Sequence, residues 1–180
     1  MISNQLERGE LVSWLKLTNV KYLGPSKLLR LFNHFKSVNN IVSASTQELL
    51  QTRLFNENMA KDWEHIKSMS DDKYFELLAE CEKNDIKILT LVDPQYPDSL
   101  RNIVSQPATL FLSGDLSLLN SLKAFAIVGS RSAEDKAIKF AYESAKELGD
   151  NGFTVVSGEA LGIDTAAHKG ALDSSYGKTI

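Results

Sequence analysis

The sequence has 180 residues, 43 % of them hydrophobic and 24 % charged, with a formal net charge of −3. That balance describes a folded globular chain and excludes disorder as its main state. It also excludes a global positive field, so any polyanion site must be a local patch. The single cysteine, Cys81, excludes an intrachain disulfide and a CxxC metal or redox site, and the three histidines, His34, His65 and His168, show no ligand spacing. No apolar run approaches the ~18 residues of a membrane span. Residues 1–5 lack the basic and apolar regions of a signal peptide. The expectation is a cytoplasmic protein with no metal and no cofactor.

Leu11, Trp14, Leu15 and Leu17 fit an amphipathic helical stripe, and Leu28, Leu29, Leu31, Phe32 and Phe35 fit a second. Ser45 or Thr46 followed by Glu48, Leu49 and Leu50 reads as a capped short helix. Met59, Trp63 and Ile66, then residues 74–81, supply two more. Residues 1–83 therefore form a small all-helical domain, with Trp14, Trp63 and Cys81 in its core. Residues 86–92 are β-branched and apolar, a strand stopped by Asp93-Pro94-Gln95-Tyr96-Pro97, and residues 108–112 form another.

A βαβ pattern follows. Residues 123–128 are a continuous apolar strand, and residues 137–148 a helix with Ile138, Ala141, Ala145 and Leu148 on one face. Residues 153–156 form a second strand and residues 163–172 a second helix. Such strands predict a parallel sheet covered on both faces. Gly177-Lys178-Thr179-Ile180 opens a third strand. The fold class is α/β: an N-terminal all-helical domain over 1–83, then a partial Rossmann-like parallel sheet over 84–180. A sheet ending there leaves an apolar edge unpaired, which predicts poor solubility or self-association.

Three segments carry possible chemistry. Residues 20–27, with Gly24-Pro25, resemble the turn of a helix-hairpin-helix, whose second helix presents N–H groups to a phosphate. Lys16, Lys21, Lys27, Arg30 and Lys36 lie in a stretch from residue 11 to residue 47 without an acid, which suits nonspecific backbone binding or simply a solvated basic face. In Ile127-Val128-Gly129-Ser130-Arg131 a glycine after a strand allows close backbone approach to a phosphate. Ser130 offers a hydroxyl, Arg131 a planar guanidinium, and the next helix start a partial positive charge. In residues 157–168, Ser157, Gly158 and Gly162 form a second such loop. Asp164 is placed to cap the following helix by accepting from the N–H of Ala166 or Ala167. His168, one turn on, either pairs with Asp164 as an acid/base device or is a hydrogen-bonded structural histidine. Glu159 opposes simple anion capture. Both loops follow parallel strands, so they share the carboxyl edge where open α/β sheets bind ligands. Lys178 precedes its strand, and topology places it at the opposite edge. Acids crowd residues 57–85 and predict a solvated face that repels DNA.

Tyr96-Pro97-Asp98-Ser99-Leu100, Pro107-Ala108-Thr109-Leu110-Phe111, Gly114, the Gly129-Ser130-Arg131 turn, Ser157-Gly158-x-Ala160-x-Gly162-Ile163-Asp164-x-x-Ala167-His168, Ala171-Leu172 and Gly177-Lys178-Thr179-Ile180 occur in this order. As a set they resemble the bacterial DNA-processing protein DprA (Smf) family, and the helical region resembles the SAM-like domain that precedes it there. The resemblance implies a non-enzymatic protein that binds and protects single-stranded DNA during natural transformation and loads the RecA recombinase, often as a homodimer. It implies that Arg131 and Lys178 meet phosphates, that Gly129, Ser130, Ser157, Gly158 and Gly162 shape the pocket, and that Asp164 and His168 hold the second loop. Many relatives carry a basic residue at Leu161 and a neutral one at Glu159. The family's domain continues past the Gly-Lys-Thr-Ile strand, so the chain is expected to be a truncated form. Two other readings stay open: a sensor or enzyme for a nucleotide-like small molecule on the same edge, and a non-functional fragment.

Overall fold

The computed structural model describes residues 6–180. The helical region comprises α1 (Arg8–Thr18), α2 (Pro25–Phe35), α3 (Val38–Ser43), α4 (Thr46–Gln51), α5 (Glu57–Ser68) and α6 (Asp72–Lys83). Ser45 and Glu48 do form a capping box at α4: the Glu48 amide donates to the Ser45 hydroxyl, and the Glu48 carboxylate accepts from the Ser45 amide at 2.8 Å. These bonds from Ser45 hold the Glu48 carboxyl below its ordinary range.

α1 packs against α2, α3, α5 and α6. Its buried side chains, Leu11, Val12, Trp14, Leu15, Lys16 and Leu17, lie on more than one face, so it is a central helix rather than an amphipathic surface one. Lys16 is therefore no part of a solvated basic face. Its ammonium is buried and donates to the carbonyls of Lys67 and Met69 and to the Asp71 carboxylate, which closes the end of α5. Cys81 is buried as expected. Burial pushes its thiol pKa up, and Glu80 and Glu82 add to the effect, which favours the thiol over the thiolate.

β1 (Lys87–Thr90) and β2 (Thr109–Leu112) pair antiparallel, Lys87 opposite Leu112 and Thr90 opposite Thr109. They form their own two-stranded sheet, separate from the parallel one. Ile88, Leu91 and Tyr96 join the helical core, and the Trp14 indole donates to the Ala108 carbonyl at 3.2 Å and the Thr109 hydroxyl at 3.1 Å. The loop between the strands, which contains α7 (Asp98–Arg101), is knotted by Arg101. Its guanidinium donates to the carbonyls of Leu91, Asp93 and Tyr96, while the Tyr96 hydroxyl donates to Pro107 at 2.7 Å. The Tyr96-Pro97 signature is thus a structural device. The first compact unit extends to Gly114, and the second is Asp115–Ile180. Sequence character changes at 83/84, but packing divides at 114/115, because the hairpin buries its apolar face with the helices.

The second unit begins with a 3-10 turn (Leu116–Asn120) and β3 (Ala124–Ala126), then α8 (Asp135–Asp150), β4 (Thr154–Val156) and α9 (Ile163–Leu172). β3 and β4 pair in parallel, Phe125 opposite Val155, and Thr179 bridges Val155 in parallel on β4's other side. The start of a third strand is therefore present. Val155 is packed with Ala145 of α8 and with Ala167 and Ala171 of α9. Both helices thus lie on the Val155 face, as two right-handed crossovers in the same direction require. This corrects the expectation of a sheet covered on both faces. β3 is exposed along its length, with Phe125 at 50 %.

Candidate nucleic-acid interface

The two loops at the carboxyl edge of β3 and β4 are latched together by Asp164, in the first turn of α9. One carboxylate oxygen accepts from the Gly129 amide and the other from the Gly158 amide, each at 3.2 Å. Asp164 is 6 % exposed, so these are partly buried, charge-assisted bonds. The Ile163 amide donates to the Ser130 carbonyl at 3.2 Å, and the Ser157 hydroxyl donates to the Ile127 carbonyl at 2.6 Å. Gly162 precedes α9 with φ +82°, a conformation L side chains avoid, and a Cβ there would lie 2.3 Å from the Ser130 carbonyl oxygen. A Cβ on Gly129 would meet Ile163 at 2.7 Å, and one on Gly158 the Asp164 carboxylate at 2.9 Å. Loop-on-loop packing by itself demands glycine at these positions.

Asp164 therefore does not cap α9 through Ala166 or Ala167. It spans both loops, because it projects from the first turn toward the strand ends. Nor does it pair with His168. His168 Nδ1 lies 2.7 Å from the Thr179 hydroxyl, which itself donates to the Val155 carbonyl at 2.9 Å. With the hydroxyl proton committed, Nδ1 is the donor. Nε2 is buried and has no partner among the described residues. His168, Ser157, Glu159, Thr165, Leu172 and Ile180 line a cleft of about 580 Å³ beside the second loop.

Ser130 accepts from the Ser132 amide at 3.1 Å, so it shapes its own turn. Arg131 is exposed and makes no ion pair among the described residues. The helix start after it offers less positive charge than expected: Glu134 is the N-cap residue of α8 and Asp135 lies in its first turn. Lys178 does not join the loops. Its carbonyl accepts from the Val155 amide, its ammonium lies 5.8 Å from the Tyr176 ring centroid, and both sit toward the amino end of the sheet. There, hydrogen bonds from Ser117 hold the Asp115 carboxyl below its ordinary range, and Lys178 adds to the shift. Sequence reasoning quoted Ile163 and Thr179 within motifs but gave neither a role in the site. A glycine pair facing a β-branched residue was a signal for the first, whereas Thr179 meets His168 only through the fold. Among the described residues no group of three or more His, Cys, Asp or Glu could hold a metal, and no helix is long and apolar enough to cross a membrane.

Residues 87–180, the hairpin and both latched loops, match the family described as DNA recombination-mediator protein A. The chain belongs to that family. It is 32 % identical over 178 residues to Protein Smf of Synechocystis sp., an alignment covering 97 % of this chain and 44 % of that protein. It is 42 % identical over 91 residues to DNA processing protein DprA of Streptococcus pneumoniae, covering 51 % of this chain and 31 % of that one. The X-ray structure of DNA processing protein A (DprA) from Streptococcus pneumoniae superimposes with a TM-score of 0.67 at 26 % identity, over 97 % of this chain and 56 % of that chain. The DprA match therefore includes the helical region that precedes the hairpin. The chain spans about half the length of the Smf relatives it matches.

Proposed function

We propose that this chain binds single-stranded DNA at the carboxyl edge of its parallel sheet, without chemistry, as part of DNA processing in natural transformation. The observation that carries this is the Asp164 latch. It holds two adjoining loops rigid, so that the exposed, unpaired Arg131 guanidinium is presented from a preorganised edge. Phosphates pair with Arg131 as a planar fork, and Ser130, Ser157 and the three glycines set the loop shape around it. Asp164 and His168 act as positioning residues. Loading of the RecA recombinase and homodimer formation belong to this proposal at the level of the whole family protein, as does a cytoplasmic location. Lys178 contributes at most a separate contact, since it sits toward the other end of the strands.

The test is fluorescence anisotropy of a labelled single-stranded oligonucleotide against the full chain across a salt series. Wild type is expected to bind single strand more tightly than duplex. Arg131→Ala is expected to weaken binding about tenfold and to shallow the salt slope by about 0.7. Unchanged affinity and slope remove Arg131, and with it this site, from the function.

A further inference from the structure

On α2, Leu28 and Leu31 are fully buried, and Leu29, Phe32 and Phe35 pack on the same core. Ser26, Lys27, Arg30, Asn33 and His34 are all exposed. At the helical repeat they occupy one sector of about 120°. Neither Lys27 nor Arg30 has an ion-pair partner among the described residues, and the same holds for Lys21 in the preceding turn. The sequence supplies no acid between Glu10 and Glu48 to neutralise them. One carboxylate does approach: Asp62 of α5 accepts from the Lys21 amide at 2.7 Å. That bond uses a turn amide that a helix-hairpin-helix would offer to a phosphate, and it places a negative charge there. That turn amide is therefore already occupied, and what the strip leaves free is the exposed side chains along α2.

Tyr22 stands at the head of this strip. Its side chain is 79 % exposed, although Val20 and Leu23 beside it are buried at 3 % and 4 %. The Leu23 amide bonds the Val20 carbonyl at 3.1 Å, Lys21 is pinned by Asp62, and Lys27 Nζ donates to the Tyr22 carbonyl at 3.3 Å. The ring is thus carried outward by a fastened turn, next to a lysine. An exposed aromatic among unpaired cations matches the stacking and backbone contacts that hold an unpaired nucleic-acid strand. A duplex would hide its base faces from the ring.

We propose that Tyr22 and the exposed face of α2 form a second single-stranded DNA contact, in which Lys27, Arg30 and Lys21 meet phosphates and Tyr22 stacks on a base. This rests on the single-strand reading of the family site but uses different residues. The test compares three variants of the full chain, Lys27→Ala/Arg30→Ala, Tyr22→Gly and Arg131→Ala, in the same anisotropy assay, with circular dichroism to confirm folding. Glycine at position 22 removes the ring while accepting the φ of +65°. The double variant is expected to lose about tenfold in affinity and to shallow the salt slope by about 1.4. Tyr22→Gly is expected to lose several-fold in affinity with an unchanged slope, because stacking releases no counterions. An oligonucleotide carrying 5-iodouracil is expected to photo-crosslink to Tyr22 in the wild type. If the double variant and Tyr22→Gly bind like wild type while Arg131→Ala is weakened, this inference falls and the loop site stands. The reverse pattern upholds α2 and removes the loop site. Absence of binding by the folded wild type overturns both.

Discussion

In the helical unit, Trp14, Trp63, Leu28, Leu31, Ile41 and Met59 are all at or below 1 % exposure, and the core runs on into the β1–β2 hairpin. In the second unit the buried apolar cluster is Ala145, Val155, Ala167 and Ala171, with Ile127 and Leu148 at its margin. Small side chains let α8 and α9 lie close together, but they remove little apolar surface from water. Phe125, Val128, Phe140, Leu161 and Leu172 stay between 50 % and 75 % exposed. Cohesion at the carboxyl edge comes instead from polar groups: one buried carboxylate on two glycine amides and a hydroxyl on a carbonyl. The lesson is that burial defines the first unit and hydrogen-bond geometry defines the working edge of the second.

The widest gap between the two should come from Trp63→Ala. Removing a fully buried indole costs about 3–5 kcal/mol, and denaturant unfolding followed by hydrogen exchange should place that loss in the helical core. Equal loss of protection at the Gly129 and Gly158 amides would show that the two units unfold as one and would break the contrast. Asp164→Ala is the corresponding cut in the second unit. It leaves two glycine amides without their acceptor, for about 2 kcal/mol, and those two loop amides should exchange faster than the amides of β3 and β4 that precede them. Asp164→Asn should fall between, because one amide keeps an acceptor oxygen while the other faces an NH2 group. Retained protection in Asp164→Ala would mean that apolar packing, not the carboxylate, sets the loops.

The smallest effect is one of pH. Bonds from the Ser175 amide, Lys146 and the Ser175 hydroxyl lower the Asp150 carboxyl to about 2. Its folded value lies below its unfolded one, so its stabilising share is present above about pH 4 and is lost as pH falls through about 2. An NMR titration of Asp150 checks this, and Asp150→Asn should remove that part of the acid sensitivity. A midpoint near the ordinary carboxylate value would show that the tie between the end of α8 and residue 175 does not form in solution.

Local pattern determined much of this protein. The helical stripes, the Ser45–Glu48 cap, the strand–helix alternation and α9 at residues 163–172 were legible, because the 3.6 and 2.0 periodicities and cap chemistry act over a few residues. So were the two glycine loops and their common edge, since consecutive parallel strands bring their carboxyl ends together. Only the tertiary structure decided which partners those residues take. Lys16 sits in a basic stretch of sequence yet is buried on Asp71, since α1 is enclosed by its neighbours. Asp164 looks like a cap yet binds two loops, and Gly129 reads as a turn glycine whose missing side chain also makes room for Ile163. Those partners lie as many as 55 residues away in the chain, as with Lys16 and Asp71. A short window of sequence carries a side chain's chemistry, but the donor or carbonyl it meets is set by how the elements pack.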